Sequence, residues 1–206
     1  MSKNLFIAGT GPRSGKSAVT LGLMELLTRN VKKVLFFRPL IDADHSAGER
    51  DNTINLIKSQ YHLGTKYEEM YAYTMTEANQ LIAMGKNAEL HEGILSKYNA
   101  LAEQADFVLC EGLEMGGAVT SFDFDINVEI SNNLGCPVLL VAGAKMKGVD
   151  ELIRSIKVYH ESLDDRGCDL LATIINRVHP ESVEKVKARL LEEKIPTKGL
   201  VYVIPN

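Results

Sequence analysis

The sequence predicts an α/β fold, a mostly parallel sheet with helices on both faces in a three-layer sandwich. Three observations predict it. Short runs rich in Val, Ile, Leu and Phe recur along the chain, and longer segments with helical periodicity separate them. Most of the runs are apolar at consecutive positions, as burial of both faces of a strand demands. A glycine-rich turn, GTGPRSGKSAVT, joins the first run to the first helical segment.

Six strands are read in order: Leu5 to Ala8, Val34 to Arg38, Phe107 to Glu111, Val138 to Ala142, Leu171 to Asn176 and Leu200 to Ile204. The first helix, Ala18 to Thr28, places Val19, Gly22, Leu23, Leu26 and Leu27 on one stripe. Ile41 to Asp106 is too long for one crossover. Its polar start, IDADHSAGERDNT, reads as a loop over the site, and helical patterns resume at Asn52 to Gln60, Met75 to Gly85 and Glu89 to Gln104. This interval is read as a helical insertion. Asp150 to Leu163 carries Leu152, Ile153, Ile156, Tyr159 and His160 at helical spacing, and Pro180 to Glu193 follows a His-Pro boundary. Gly167 reads as a helix cap before the fifth strand.

With 206 residues and 45% hydrophobic content, the chain is expected to build one domain over its whole length, with the insertion at about 52–104. GLVYVIPN ends the chain directly after a strand, which reads as a fragment of a longer protein. The net charge of -4, with both signs interspersed, offers no basic stripe, so nucleic acid is not an expected partner. Cys110, Cys136 and Cys168 are odd in number, far apart and without a Cys-x-x-Cys pair, which points to neither a disulfide framework nor a thiolate metal site. No apolar run approaches membrane-spanning length and the N-terminus is no signal peptide; a cytoplasmic protein without a membrane partner is expected.

A strand, a glycine turn and a helix in that order aim backbone N–H groups and a helix N-terminus at one point, an anion site by geometry and dipole. Gly9, Gly11 and Gly15 let the backbone wrap a phosphate, with Thr10 and Ser14 in the same loop. Lys16 reaches terminal phosphates, Ser17 supplies a hydroxyl for Mg2+, and Arg13 adds charge. The usual spacing places a glycine where Thr10 stands, and Gly9 is one residue earlier, so the loop is one residue longer. A glycine turn that merely joins strand to helix would need neither Gly-Lys-Ser nor three glycines. Glu111, at the carboxyl end of the third strand, is placed to hold Mg2+ directly or through water. Asp51 reads equally as a second Mg2+ ligand or as an N-cap of the following helix. Asn176, ending the fifth strand, offers an amide suited to a purine edge, and Arg177 beside it reads as surface charge.

GTGPRSGKS, FRP after the second strand, CEG after the third and NR after the fifth resemble, in order, the motifs of dethiobiotin synthetase-like P-loop proteins, whose loop has this longer spacing. The chain more closely resembles the N-terminal P-loop domain of long bacterial phosphate acetyltransferases. In these VLFFRPL, the helical insertion, ADFVLCEGL and the helix around Asn127 to Leu134 match in order and length. That resemblance implies a P-loop NTPase-like fold that binds ATP or another nucleotide with Mg2+, or keeps the fold with weakened binding. It also implies a regulatory or stabilising role beside a C-terminal acyltransferase domain that these residues do not contain. The full enzyme interconverts acetyl-CoA plus phosphate with acetyl phosphate plus CoA, so no catalytic residue is assigned within this chain. Relatives of the fold often dimerise, which implies a homo-oligomer.

Two departures separate the chain from the synthetases it resembles. They carry a lysine where Arg38 stands, used with the loop lysine on the substrate carbamate, and a planar guanidinium does not imitate an ammonium. They also follow the acidic strand end with a GAGG-type loop, where this chain has GLEMGGAVTSFDFD. A stand-alone ATP-dependent ligase and a P-loop scaffold that binds no nucleotide are the two alternatives. His45, His62, His91, His160 and His179 are scattered without metal spacing, and Asp123 and Asp125 read as solvated acids where a loop enters a helix.

Overall fold

The first strand, β1 (Lys3–Gly9), alternates its buried side chains between two cores: Phe6 and Ala8 enter one, Leu5 and Ile7 the other. The computed structural model describes residues 3–43, 48–113, 121–145, 147–193 and 200–206, with the backbone alone at 121–124. After β1 the chain forms α1 (Lys16–Asn30), β2 (Val34–Ile41), α2 (Asn52–Gln60), β3 (Tyr71–Thr74), α3 (Met75–Ala83) and α4 (Asn87–Ala102). It continues through β4 (Phe107–Glu111), α5 (Ser121–Asn133), β5 (Val138–Gly143), α6 (Val149–Asp165), β6 (Leu170–Val178), α7 (Val183–Glu192) and β7 (Leu200–Pro205).

The described strands form one seven-stranded sheet in the order β3-β2-β4-β1-β5-β6-β7, and every pairing is parallel. Helices α1 and α2 cover one face, where Met24, Ile54 and Ile57 meet Ile7, Phe36, Leu109 and Val141. On the other face α3, α4 and α5 bury Ala78, Leu90, Ile94, Val128 and Ile130 against Phe6, Phe37, Cys110 and Leu140. Helices α6 and α7 cover β5 and β6 beside them through Ile153, Ile156 and Val186. The carboxyl end of β1, between β4 and β5, is where strand order reverses, and in open parallel sheets ligands sit there.

The predicted α/β class is the observed one, but two elements differ. The interval read as a loop followed by three helices also contains β3, an edge strand of four residues that pairs Tyr71, Tyr73 and Thr74 with β2. So short a strand shows no pattern of its own, and Thr74 at its end is also the N-cap of α3, its hydroxyl accepting from Glu77 N. The first helix begins at Lys16 and buries Lys16, Thr20 and Met24. Val19, Leu23 and Leu27 of the expected stripe pack against the core, whereas Leu26 is 58% exposed and Gly22 is exposed, so the stripe is centred closer to Thr20 and Met24 than expected. Ser121–Asn133 is helical, so Asp123 and Asp125 lie inside α5, with Asp125 paired to Arg166 at 2.5 Å. Gly167, at φ 69°, follows α6 as a left-handed cap, as read. Part of the loop expected over the site, Asp44 to Ala47, lies outside the described residues. No described helix is long and apolar enough to cross a membrane.

Candidate functional site

The glycine turn leaves β1 at Gly9, crosses the carboxyl edge of the sheet and enters α1 at Lys16. Its backbone alternates between conformations that L side chains favour and others: φ is 138° at Gly11, 61° at Arg13 and 86° at Gly15. Successive N–H groups of such a chain converge on one concave point, the arrangement that binds anions. Thr10 is tied at both ends, its N–H donating to Val141 O at 3.0 Å and its carbonyl accepting from Tyr159 Oη at 3.0 Å.

The loop is held from β5 and β6. A Cβ at Gly143 would stand 2.8 Å from Ser14 Cα, so only glycine there lets β5 run under the loop. Asn176 Nδ2 donates to Ser14 O at 3.2 Å, and Arg177 Nη1 donates to Arg13 O at 3.3 Å. Arg177, read as surface charge, therefore clamps the loop, from a left-handed φ of 62°. The Asn176 amide nitrogen is likewise engaged with the loop backbone in this structure. Gly15 packs against it so closely that a Cβ would overlap the Asn176 amide. Gly15→Ala is accordingly expected to lower stability by about 1–3 kcal/mol through the positive φ alone, with further loss from displacing Asn176. Urea unfolding of the variant checks it.

Below the loop lies a buried ionic cluster. Lys16 is 1% exposed and donates to Gly112 O at 2.5 Å. Glu111 is also 1% exposed, and its Oε2 accepts from Thr20 Oγ1 at 2.5 Å. Arg38 lies between two carboxylates, 2.5 Å from Asp51 Oδ2 and 3.9 Å from Glu111 Oε1. Arg38 thus compensates two carboxylates in a water-poor region, where an unpaired charge would be costly, and Lys16 is buried beside them on the Gly112 carbonyl.

Asp51 caps α2: its Oδ1 accepts from Ile54 N at 2.9 Å while its Oδ2 takes Arg38. Of the two readings from sequence, the geometry presents the cap, and both carboxylate oxygens are in use. Its own N–H donates to Tyr67 Oη at 2.7 Å, which closes the insertion onto the site. Ser17 is exposed on the first turn of α1, and Ser14 is 2% exposed with an Oγ that has no hydrogen-bond partner. Among the described residues no three His, Cys, Asp or Glu side chains converge as a metal site.

Beyond Glu111 the chain is gripped by α5. Asn127 Oδ1 accepts from Leu113 N and its Nδ2 donates to Leu113 O, both at 2.9 Å. One side chain thereby satisfies both polar groups of a buried residue next to the carbonyl that Lys16 contacts. Asn127→Ala is expected to cost about 3 kcal/mol, since it leaves a donor and an acceptor buried without partners. Thermal unfolding reads this loss, and Asn127→Asp is expected to lose at least as much at neutral pH, because it turns a buried carboxylate oxygen toward the Leu113 carbonyl. Cys110, on the other face from Glu111, is wholly buried, and burial pushes its thiol well above the ordinary range, so it packs as an apolar side chain.

A lysine buried beneath a strand–glycine loop–helix turn, with an acid at the neighbouring strand end, defines the P-loop class of nucleotide-binding folds. Residues 3–205 match the model of an AAA domain family, and the chain belongs to that family. It is 43% identical over 209 residues to the phosphate acetyltransferase of Nitratidesulfovibrio vulgaris, covering 100% of this chain and 30% of that protein. It is 35% identical over 190 residues to the phosphate acetyltransferase of Synechocystis, covering 92% of this chain and 27% of that one. The chain thus spans less than a third of those relatives. To the ATP-dependent dethiobiotin synthetase BioD of Aliivibrio fischeri it is 25% identical over 202 residues, covering 95% of this chain and 87% of that protein. Among solved structures, Cyanothece McdA in complex with ATP superposes with a TM-score of 0.59 at 18% identity, covering 98% of this chain and 82% of its own. A Borrelia burgdorferi plasmid partition protein bound to AMPPNP gives 0.59 at 15%, covering 100% and 87%. These two likenesses concern the fold.

Proposed function

We propose that the chain is a nucleotide-binding regulatory or stabilising part of a phosphate acetyltransferase, with acyl transfer carried by a further domain of the same protein. The observation that carries this reading over a stand-alone ligase is Arg38. In the synthetases the chain resembles, a lysine at this position serves the substrate. Here a guanidinium stands in its place, 7% exposed, held by Asp51 and facing Glu111. A group so engaged is a structural link between β2, α2 and β4 and is not presented to a substrate.

The phosphates of ATP or another nucleotide are received by the backbone of Gly9 to Gly15, with Ser14, Arg13, Lys16 and Ser17 around them. Neighbours of the fold that hold ATP and AMPPNP support this placement. Mg2+ fits Ser17 and Glu111: Ser17 is exposed beside the loop, and one Glu111 oxygen has, among the described residues, no closer partner than Arg38 at 3.9 Å. Asp51 accepts one hydrogen bond at each oxygen, from Ile54 N and from Arg38, and its remaining lone pairs let it join Ser17 and Glu111 as a ligand of the ion, directly or through water. A bound Mg2+ would neutralise phosphate charge there. Asn176 borders the loop where a base would lie, and its carbonyl oxygen is the group to contact it. A cytoplasmic homo-oligomer belongs to the same reading.

Incubating the chain with ATP, Mg2+, diaminopelargonic acid and bicarbonate tests it. No ADP formation that depends on the diamine is expected. Diamine-dependent ADP would replace this reading with the ligase.

A further inference from the structure

We propose that the outer strand β7 is the docking site for the segment that follows position 206 in the acetyltransferase chain, a segment that lies across the same face of the sheet as α1. The proposal rests on the reading that the chain is part of a longer acetyltransferase. Strand β7 reads Leu-Val-Tyr-Val-Ile, apolar at five consecutive positions, the pattern of a strand covered on both faces. Among the described residues only one face is covered. Val201 and Val203 pack with Ile175 and with Val183, Val186 and Leu190 of α7. Leu200, Tyr202 and Ile204 point the other way and are 65%, 51% and 40% exposed.

The register shows which face they share. Leu200 pairs with Ala172 and Tyr202 with Ile174, and these two belong to the core beneath α1 and α2. That core fades outward, from Val141 at 0% exposure and Ala172 at 6% to Leu200 at 65%. Chain handedness explains the gap. Right-handed crossovers from β5 to β6 to β7 place α6 and α7 on one face, and the crossover from β1 to β2 runs the opposite way and places α1 on the other. No described helix is therefore delivered to the β7 end of the α1 face. A segment leaving β7 and folding back over it is.

Two candidates for that cover differ in how much surface they need. Three partly exposed side chains amount to a few hundred Å², short of the roughly 800 Å² per partner of a stable association between separate chains. A covalently continuous segment needs far less area, because its effective concentration is already in the millimolar range. The phosphate acetyltransferase of N. vulgaris, of which this chain covers 30%, has ample length to supply one. The chemistry that fits is an amphipathic helix with its apolar stripe on Leu200, Tyr202 and Ile204.

The test places the photo-crosslinker p-benzoylphenylalanine at position 202 of the full-length protein, where it keeps the phenyl ring and adds a benzoyl group at a half-exposed position. Irradiation is expected to join position 202 to a peptide beyond residue 206 in a product of monomer mass. A crosslink between two copies of β7, or no crosslink, overturns the proposal. Acetyl phosphate formation by the same preparation separates the two levels. An active enzyme without the intramolecular crosslink refutes this docking site alone, and an inactive full-length chain refutes the acetyltransferase reading itself. As a second readout, Tyr202→Ser is expected to speed amide hydrogen exchange in the docked segment at least about tenfold, and unchanged exchange also overturns the proposal.

Discussion

Replacing Lys16 with alanine is expected to lower affinity for Mg2+-ATP by about 100-fold or more, read by calorimetry at fixed ionic strength. The ammonium lies under the loop at 1% exposure and reaches Gly112 O, so it is already within the fold's interior when a phosphate arrives. A charge-assisted hydrogen bond to phosphate contributes about 1.5–3 kcal/mol, and it strengthens where water is excluded. Loss of one such group accounts for about two orders of magnitude in Kd. Lys16→Arg keeps the charge, but a planar fork does not fit the space of a compact ammonium, so little affinity is expected to return. Equal heats from wild type and Lys16→Ala would show that the loop holds no phosphate.

Arg38→Ala is expected to produce the largest loss of stability, about 3–5 kcal/mol, because it strands Asp51 and Glu111 without their cation in a buried region. For a chain of this length the loss corresponds to a fall in Tm of roughly 10 °C. A second substitution separates charge from packing. Asp51→Asn keeps an oxygen for the Ile54 N–H and so preserves the α2 cap while removing the stranded charge. Arg38→Ala with Asp51→Asn is therefore expected to recover part of the loss, and urea unfolding of the two variants measures it. If both lose the same amount, Arg38 contributes by packing and the ionic account of the cluster is wrong.

What could be read from the chain was what is local. The strand, glycine loop and helix are contiguous, so the P-loop-type turn at Gly9 to Ser17 was legible without any knowledge of the rest. Glu111 was legible because a strand end is visible in the hydropathy pattern, and Asp51 as a cap because its partner Ile54 lies three residues on. Thr20, Gly112, Gly143, Asn127 and Arg177 were missed as site residues. Each acts through a partner remote in the chain: Thr20 on Glu111, Arg177 on Arg13, Gly143 beneath Ser14. A positive φ at Arg177 leaves no mark in the residue type, so its side chain looked like any surface arginine. Strand β3 was missed for a related reason, since four residues at a sheet edge acquire their conformation from β2. The α1 stripe was only partly legible, with Val19, Leu23 and Leu27 correctly placed, because the most buried line also runs through the polar Lys16 and Thr20, which apolar periodicity does not register.

The regulatory form of the proposed function has nucleotide held at this loop acting on acetyl transfer elsewhere in the protein. The most direct measurement is the rate of acetyl phosphate formation from acetyl-CoA and phosphate by the full-length chain, with and without Mg2+-ATP, in wild type and in Lys16→Ala. The account predicts that the nucleotide changes the wild-type rate and leaves Lys16→Ala unaffected, with equal basal rates in its absence. An identical response in both proteins, or no response in either, would contradict it.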